Sequence, residues 1–409
     1  MITLPAFSQV SVVAVGEAEV ERTKISFSTS VSCNCLEYAN VIRSDLGMYK
    51  HKLQIFDSDL VELENFDYQF ILSRDVKLEK QLVLTIKKNN EPVNTQSFKV
   101  ANDLTSIRDG AHEISDLIYS KVFNKTSIFK TKIYFISDNG RNEQGQKSKQ
   151  LFVVDYDGQN PKQLTFHNGY VFSPAISRGQ KFALYSVIMN NSMRKNVNLH
   201  ILDLESGIDR VLSNFKGINS GAVFVPGEKE IILTLTHSGN AELYRMNIKS
   251  KKLVPLTRHF ASDVDPSISP SGKKVAFLSS RAGRPMIYTL NASKTEFQVK
   301  RVSYVGDYNA TPRYSPDGKD IIFSSWLDKK FDLFRLSETG MNLVRLTKDH
   351  GSNESPSYSP DGEFVVFSSQ RIIDEKSDVK NLYIMTKDGD ILKKVSSKLG
   401  KAESPVWAK

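Results

Sequence analysis

His112 and Glu113 stand side by side in the run AHEISD, which is half of a zincin-type metal motif. That chemistry needs a second imidazole four residues after the first, so that two nitrogens leave one helix face toward one ion; position 116 is Asp116 instead. The pair is therefore read as the solvated polar face of a helix. His167, His237, His259 and His350 fall in or near predicted loops, at unlike positions. They are read as scattered surface residues and not as a converging ligand set. Cys33 and Cys35 are the only cysteines. Bridged Cα atoms normally sit about 5.5 Å apart, so a ring this small leaves two free thiols or one labile bridge, with free thiols the favoured reading. A lone C-x-C is too few ligands for structural zinc. The sequence has no G-x-S-x-G nucleophile elbow and no G-x-x-x-x-G-K-S/T phosphate loop, and GINSG at 217–221 has the wrong spacing. No catalytic residue, cofactor or metal is expected.

The elements that must carry any site are more informative than these residues. VDPSISPSGKKVAF (264–277), ATPRYSPDGKDIIF (310–323) and ESPSYSPDGEFVVF (354–367) align without a gap. Pro226 and the degraded copy SPAISRGQKFALYS (173–186) extend the series backwards, and a Leu-Thr, Leu-Ser or Val-Ser pair closes each unit at 164, 212, 256, 302, 346 and 395. Six markers imply six units. Each unit divides into four short strands; in the last these fall near 355–359, 364–368, 381–385 and 391–396, with the Pro360-Asp361-Gly362 and Asp388-Gly389 turns between them. Proline presets φ near −65° and glycine accepts positive φ, which favours tight hairpins. About 44 residues and four strands per repeat describe a β-propeller blade. The first unit lacks an opening strand, and the closing AESPVWAK (402–409) has the pattern of that missing strand. The C-terminus is therefore expected to complete the first blade, removing two exposed sheet edges.

The first 127 residues lack the repeat. Strand-like runs at Val10–Val15, Lys52–Phe56, Tyr68–Leu72, Gln81–Lys87 and Gln96–Val100 alternate with two helix-like segments. In the second helix, Ile107, Ala111, Ile114, Leu117, Ile118 and Val122 recur at three- and four-residue steps, which gives one apolar stripe. The expected fold class is multidomain α/β plus all-β: an α/β domain over 1–127, a boundary near Phe123–Ser127, and a six-bladed propeller over 128–409. The chain has 409 residues and a formal net charge of +9, with 55 Lys and Arg scattered rather than blocked. No RNP-like pattern accompanies the charge, so no nucleic acid is expected. No apolar run approaches the roughly 18 residues a membrane span requires. The start, MITLPAFSQVSVVAV, has neither the basic nor the long apolar region of an export leader.

Several segments together resemble the TolB family, the soluble periplasmic components of Tol-Pal systems: the S-P-D-G repeats, IRDGAHEISDLIYSKV, SIFKTKIYFIS, VDYDGQNPKQLT and the closing SPVWA. The resemblance spans nearly the whole chain. It implies a non-enzymatic, monomeric periplasmic scaffold and a sequence in mature form. It also implies docking of a Pal-like outer-membrane lipoprotein at the propeller mouth, through loops preceding the innermost strands. The matching positions are Ile218, Asn219, Ser220, Val264, Asp265, Asn309, Ala310, Glu354 and Ser355. Ile218-Asn219-Ser220 departs from the His-Asn-Gly that members often carry. Arg281, Arg284, Trp326 and Arg371 follow second strands and are expected on the same rim. The resemblance further implies that Met1 to about Val10, with Ile2, Thr3, Leu4 and Phe7, binds a TolA-like inner-membrane protein as an added strand.

Overall fold

The computed structural model describes residues 21–30, 33, 35–56, 66–74, 81–101, 103–189, 196–371, 379–395 and 398–408. The expected strand Val10–Val15 and the segment holding Ile2, Thr3, Leu4 and Phe7 lie outside these residues, as does most of the 370–380 loop. The chain divides into two compact units, Met1–Lys125 and Thr126–Lys409.

In the first unit, β1 (Thr23–Thr29), β2 (Leu53–Phe56), β3 (Tyr68–Arg74), β4 (Gln81–Lys88) and β5 (Glu91–Lys99) form one mixed sheet in the order β2-β1-β3-β4-β5. The helices are α1 (Leu36–Gly47) and α2 (Leu104–Phe123). Strand β1 is parallel to both of its neighbours. Sequence reading missed it because TKISFST mixes serine and threonine with its apolar residues, yet Ile25, Ser26, Phe27 and Ser28 are all buried. Strand β5 begins earlier than expected, since Asn89 and Asn90 both adopt positive φ and turn the hairpin at once. The Asp103 carboxylate caps α2 by accepting from the Ser106 N–H at 3.0 Å, and Ala111, Ile114 and Ile118 form the buried centre of the expected stripe.

Two expectations are corrected here. His112 does not lie on a solvated face: it is buried, and its Nδ1 lies 2.9 Å from Asp45 Oδ2, joining α2 to α1. Only Glu113 of that pair is exposed. Cys33 and Cys35 are bridged, not free. Their Cα atoms lie 5.2 Å apart, so two residues of chain already place them at an ordinary bridging distance.

The second unit contains, among the described residues, six four-stranded antiparallel sheets. Their innermost strands are Ala402–Ala408 (blade 1), Gly169–Ile176 (blade 2), Asn219–Phe224 (blade 3), Asp263–Ile268 (blade 4), Tyr308–Tyr314 (blade 5) and Ser352–Tyr358 (blade 6). The closing strand pairs with Lys132–Ser137 from Ala402↔Ser137 to Ala408↔Lys132. The ring is thus closed by the chain's last strand, as the repeat count requires. Blade faces pack on one another through apolar layers: Ala276 and Ile287 of blade 4 join Ile321 and Phe323 of blade 5 in one core cluster.

The recurring motif residues fix this geometry. In blade 6 the Ser359 hydroxyl donates to Asp361 Oδ1 at 2.5 Å and accepts the Phe364 N–H at 2.9 Å, so the aspartate holds its own turn. Gly318, at φ +74°, lies where an added Cβ would meet Pro270 Cδ of the preceding blade at 3.2 Å. Glycine is needed there both for its dihedral and for the close approach. The unit-closing hydroxyls repeat a single contact. Thr165, Thr257, Ser303 and Thr347 accept the N–H of Leu151, Leu243, Ile287 and Leu333, each at 2.8–2.9 Å. This locks the outer edge of each of these blades to its third strand.

Candidate functional site: the rim and channel of the propeller

Second strands run antiparallel to innermost strands, so the loops entering an innermost strand and those leaving a second strand share one rim; Tyr308 pairs with Trp326 and Asn309 with Ser325. All the rim positions expected from sequence that the structure describes fall at this end. They divide into three groups by what their side chains do.

The first group is consumed internally. Asn219 and Asn309 are fully buried, which corrects their expected exposure. Asn219 donates to the Val197 and Phe215 carbonyls at 2.9 and 2.7 Å and accepts from the Ser213 hydroxyl and the Phe215 N–H at 2.7 and 2.9 Å. Asn309 donates to the Val305 carbonyl at 2.8 Å and to Ser325 Oγ at 3.0 Å. Buried Asp263 and Asn353 occupy the same register in blades 4 and 6. Of these, Asn219, Asn309 and Asn353 donate to carbonyls of the loop that enters their strand, whereas Asp263 pairs with Arg281. Arg281 is likewise not free for a partner. Its side chain is 11% exposed and ion-pairs with Asp263 and Glu296 at 2.5 and 2.7 Å. Burial alone would depress the guanidinium, but hydrogen bonds to Glu296 and Asp263 outweigh it and hold the charge firmly.

The second group lines the channel, which has a volume of about 1230 Å³. Ser173, Gly221, Asp265, Thr311, Ser355 and Ser404, one from each blade, all have φ between 50° and 59° and all line it. Each sits at a register shift between innermost and second strand, a bulge that re-aims the chain. Asp265 pairs with Arg313 at 3.2 Å, and Glu354 with Lys380 at 2.9 Å. Glu403 pairs with Lys149. Ser220, Val264, Ala310 and Glu354 each precede a bulge residue and are half-buried.

The third group faces solvent. Ile218 is 43% exposed and Trp326 38%, the latter edge-on to Phe331 at 5.0 Å. Arg284 pairs with Asp307 at the surface, and the Arg371 guanidinium lies 4.0 Å from the Tyr383 ring centroid. Sequence reading missed four further exposed aromatics: Phe166, Phe215, Phe260 and Tyr304, in the loops that enter blades 2 to 5. Phe260 is 89% exposed and Tyr304 71%. Each follows its unit's closing Leu-Thr, Leu-Ser or Val-Ser pair within four residues. Their offsets from that pair run from one to three residues, so the pair marks where they fall without setting them in a single column.

One polar cluster stands apart. His167, His200 and Asp209 bring their ligand atoms within 4.8 Å of one another. None of them lines the channel. His167 is therefore not a scattered surface histidine: it is half-buried and packs edge-on to His200.

These features define a closed six-bladed β-propeller carrying a separate α/β unit, with an aromatic and basic rim. The TolB β-propeller domain family matches residues 119–409, and the chain belongs to that family. The Tol-Pal system protein TolB of Francisella tularensis strain SCHU S4 is 27% identical over 300 residues, covering 69% of this chain and 67% of that protein. The crystal structure of TolB from Acinetobacter baumannii aligns with a TM-score of 0.74 at 22% identity, over 95% of this chain and 97% of that one. A nidogen/laminin complex structure aligns at TM-score 0.54 with 9% identity, over 68% of this chain and 98% of that one. The propeller alone therefore does not fix a partner.

Proposed function

We propose that this protein is a non-enzymatic periplasmic scaffold of a Tol-Pal-type envelope assembly. Its rim docks a Pal-like peptidoglycan-associated lipoprotein, and its N-terminal segment, Met1 to about Val10, pairs as a strand with a TolA-like inner-membrane protein. In this role it supports outer-membrane integrity and constriction at division. The observation that carries the reading is the family membership joined to the rim: four exposed aromatics stand around one channel mouth, beside Trp326 and Arg284. Exposed aromatic and arginine side chains on a rigid frame suit hot-spot recognition of a protein. No helix among the described residues is long and apolar enough to cross a membrane, so contact with either membrane runs through partners in this reading. A propeller lyase would place its histidines at the channel, whereas the described His/Asp cluster lies off it. The test is capture of envelope lipoproteins on the purified protein. Retention of a Pal-like protein, lost on Phe260→Ala with Tyr304→Ala, supports the reading; failure to retain any such protein overturns it.

A further inference from the structure

The seam between blades 1 and 2 gathers a second set of chemistry-bearing side chains. His167 lies in the loop joining the outer strand of blade 1 (Lys162–Gln163) to the innermost strand of blade 2. Tyr185, His200 and Asp209 come from the second (Phe182–Met189), third (Val197–Asp203) and outer (Asp209–Ser213) strands of blade 2. Tyr185 and His200 are direct cross-strand partners, so both project from one face. That face packs on blade 1, where Tyr185 shares a core cluster with Tyr134 and Leu151.

The Tyr185 hydroxyl donates to Asp209 Oδ1 at 2.6 Å, leaving Oδ2 turned to both imidazoles. His200 Nδ1 lies 3.0 Å and His167 Nε2 3.5 Å from Oδ2. We propose that His167 Nε2, His200 Nδ1 and Asp209 Oδ2 form a binding site for one zinc-type divalent cation, with Tyr185 holding the carboxylate from outside the coordination shell. Ligands about 2.0–2.2 Å from a tetrahedral zinc lie roughly 3.3–3.5 Å from one another; the two contacts to Asp209 are already near that range, and the two imidazole nitrogens, within 4.8 Å of each other, draw together to close on an ion. Two imidazoles and one carboxylate suit zinc-class metals; calcium and magnesium take oxygen ligands. A fourth position opens toward solvent beside Asp209, whose side chain is 30% exposed.

Protons balance on binding. In the neutral tautomers that would satisfy both contacts, His200 Nδ1–H donates to Asp209 and His167 Nε2–H points at Tyr185 Oη, 3.1 Å away. On binding, each ring proton moves to the other nitrogen of its own imidazole, and no net proton is released while both rings are neutral. Burial alone would raise Asp209, but hydrogen bonds from His200 and Tyr185 outweigh it and keep the carboxylate ionised. An ion here would staple the inter-blade loop to the outer strands of blade 2.

The test is titration of the full chain, stripped with chelator, with Zn²⁺ and separately with Co²⁺, whose visible absorption reports tetrahedral coordination. One equivalent is expected to bind. His167→Gln, His200→Asn and Asp209→Asn should each weaken binding at least a hundredfold. Tyr185→Phe, which removes no ligand, should weaken it about 10–100-fold, and His350→Gln should change nothing. Circular dichroism checks the fold of each variant, and His167→Gln, placed in a loop, decides the matter should a strand variant unfold. No uptake at equimolar metal, or equal uptake by wild type and the His167 variant, overturns the site.

Discussion

The two ends of the propeller are built on opposite plans. At the S-P-D-G end the repeated residues spend their polar groups on themselves: Ser359 and Asp361 close their own turn, and Gly318 packs on Pro270 of the blade before it. At the other end a buried polar residue recurs as Asn219, Asp263, Asn309 and Asn353, but the loops that enter there differ in length and chemistry and expose Phe260 and Tyr304, with Trp326 near the end of a second strand beside them. Sameness between repeats marks what the ring needs in order to stand. Difference between repeats marks where it can meet something else.

The contrast can be tested from its largest expected effect downwards. Deleting 402–409 removes the strand that completes blade 1 and leaves the Lys132–Ser137 edge unpaired. Roughly five backbone hydrogen bonds at a net ~1 kcal/mol each are lost, so calorimetry should show the melting temperature falling by about 10 °C or more; an unchanged melt would refute closure. Asn219→Ala leaves the Ser213 hydroxyl, the Phe215 N–H and two carbonyls without their partner, which should destabilise the protein by about 2–4 kcal/mol in urea titration. Gly318→Ala forces a side chain into positive φ against Pro270 and should cost about 1–2 kcal/mol. Phe260→Ala should move stability by no more than about 0.5 kcal/mol, yet weaken capture of a Pal-like protein at least tenfold. A stability loss like that of Asn219→Ala would mean that the rim aromatics are structural after all.

The blade count, the turns and the closing strand were readable because each rests on residues repeated at a fixed spacing, and repetition averages out local ambiguity. The rim was readable as a place but not as a set of side chains. Asn219 and Asn309 stand where a partner would be expected, and only their burial shows that they face inward. The collar of Phe166, Phe215, Phe260 and Tyr304 follows its marker at unequal offsets, so a gapless alignment hides it. His200 and Asp209 escaped because they join His167 across strands that pair in space, and His112 because its partner Asp45 is 67 residues away on another helix. Strand β1 was lost to its serines and threonines; Ser26 and Ser28 are buried here without breaking the strand.

The pairing of Ala402–Ala408 with Lys132–Ser137 also sets a timetable. A chain that emerges N-terminus first makes the three outer strands of blade 1 early and their inner neighbour last. Until residue 408 appears, blade 1 keeps an open edge at Lys132–Ser137 that can recruit a foreign strand, and the apolar blade faces at the unclosed seam stay uncovered. Contacts spanning some 270 residues form slowly, because the loop must close before the contact rewards it. The step that completes the ring thus waits for the propeller's final strand and has the longest reach, which makes the interval before it the time when this protein most needs protection from aggregation.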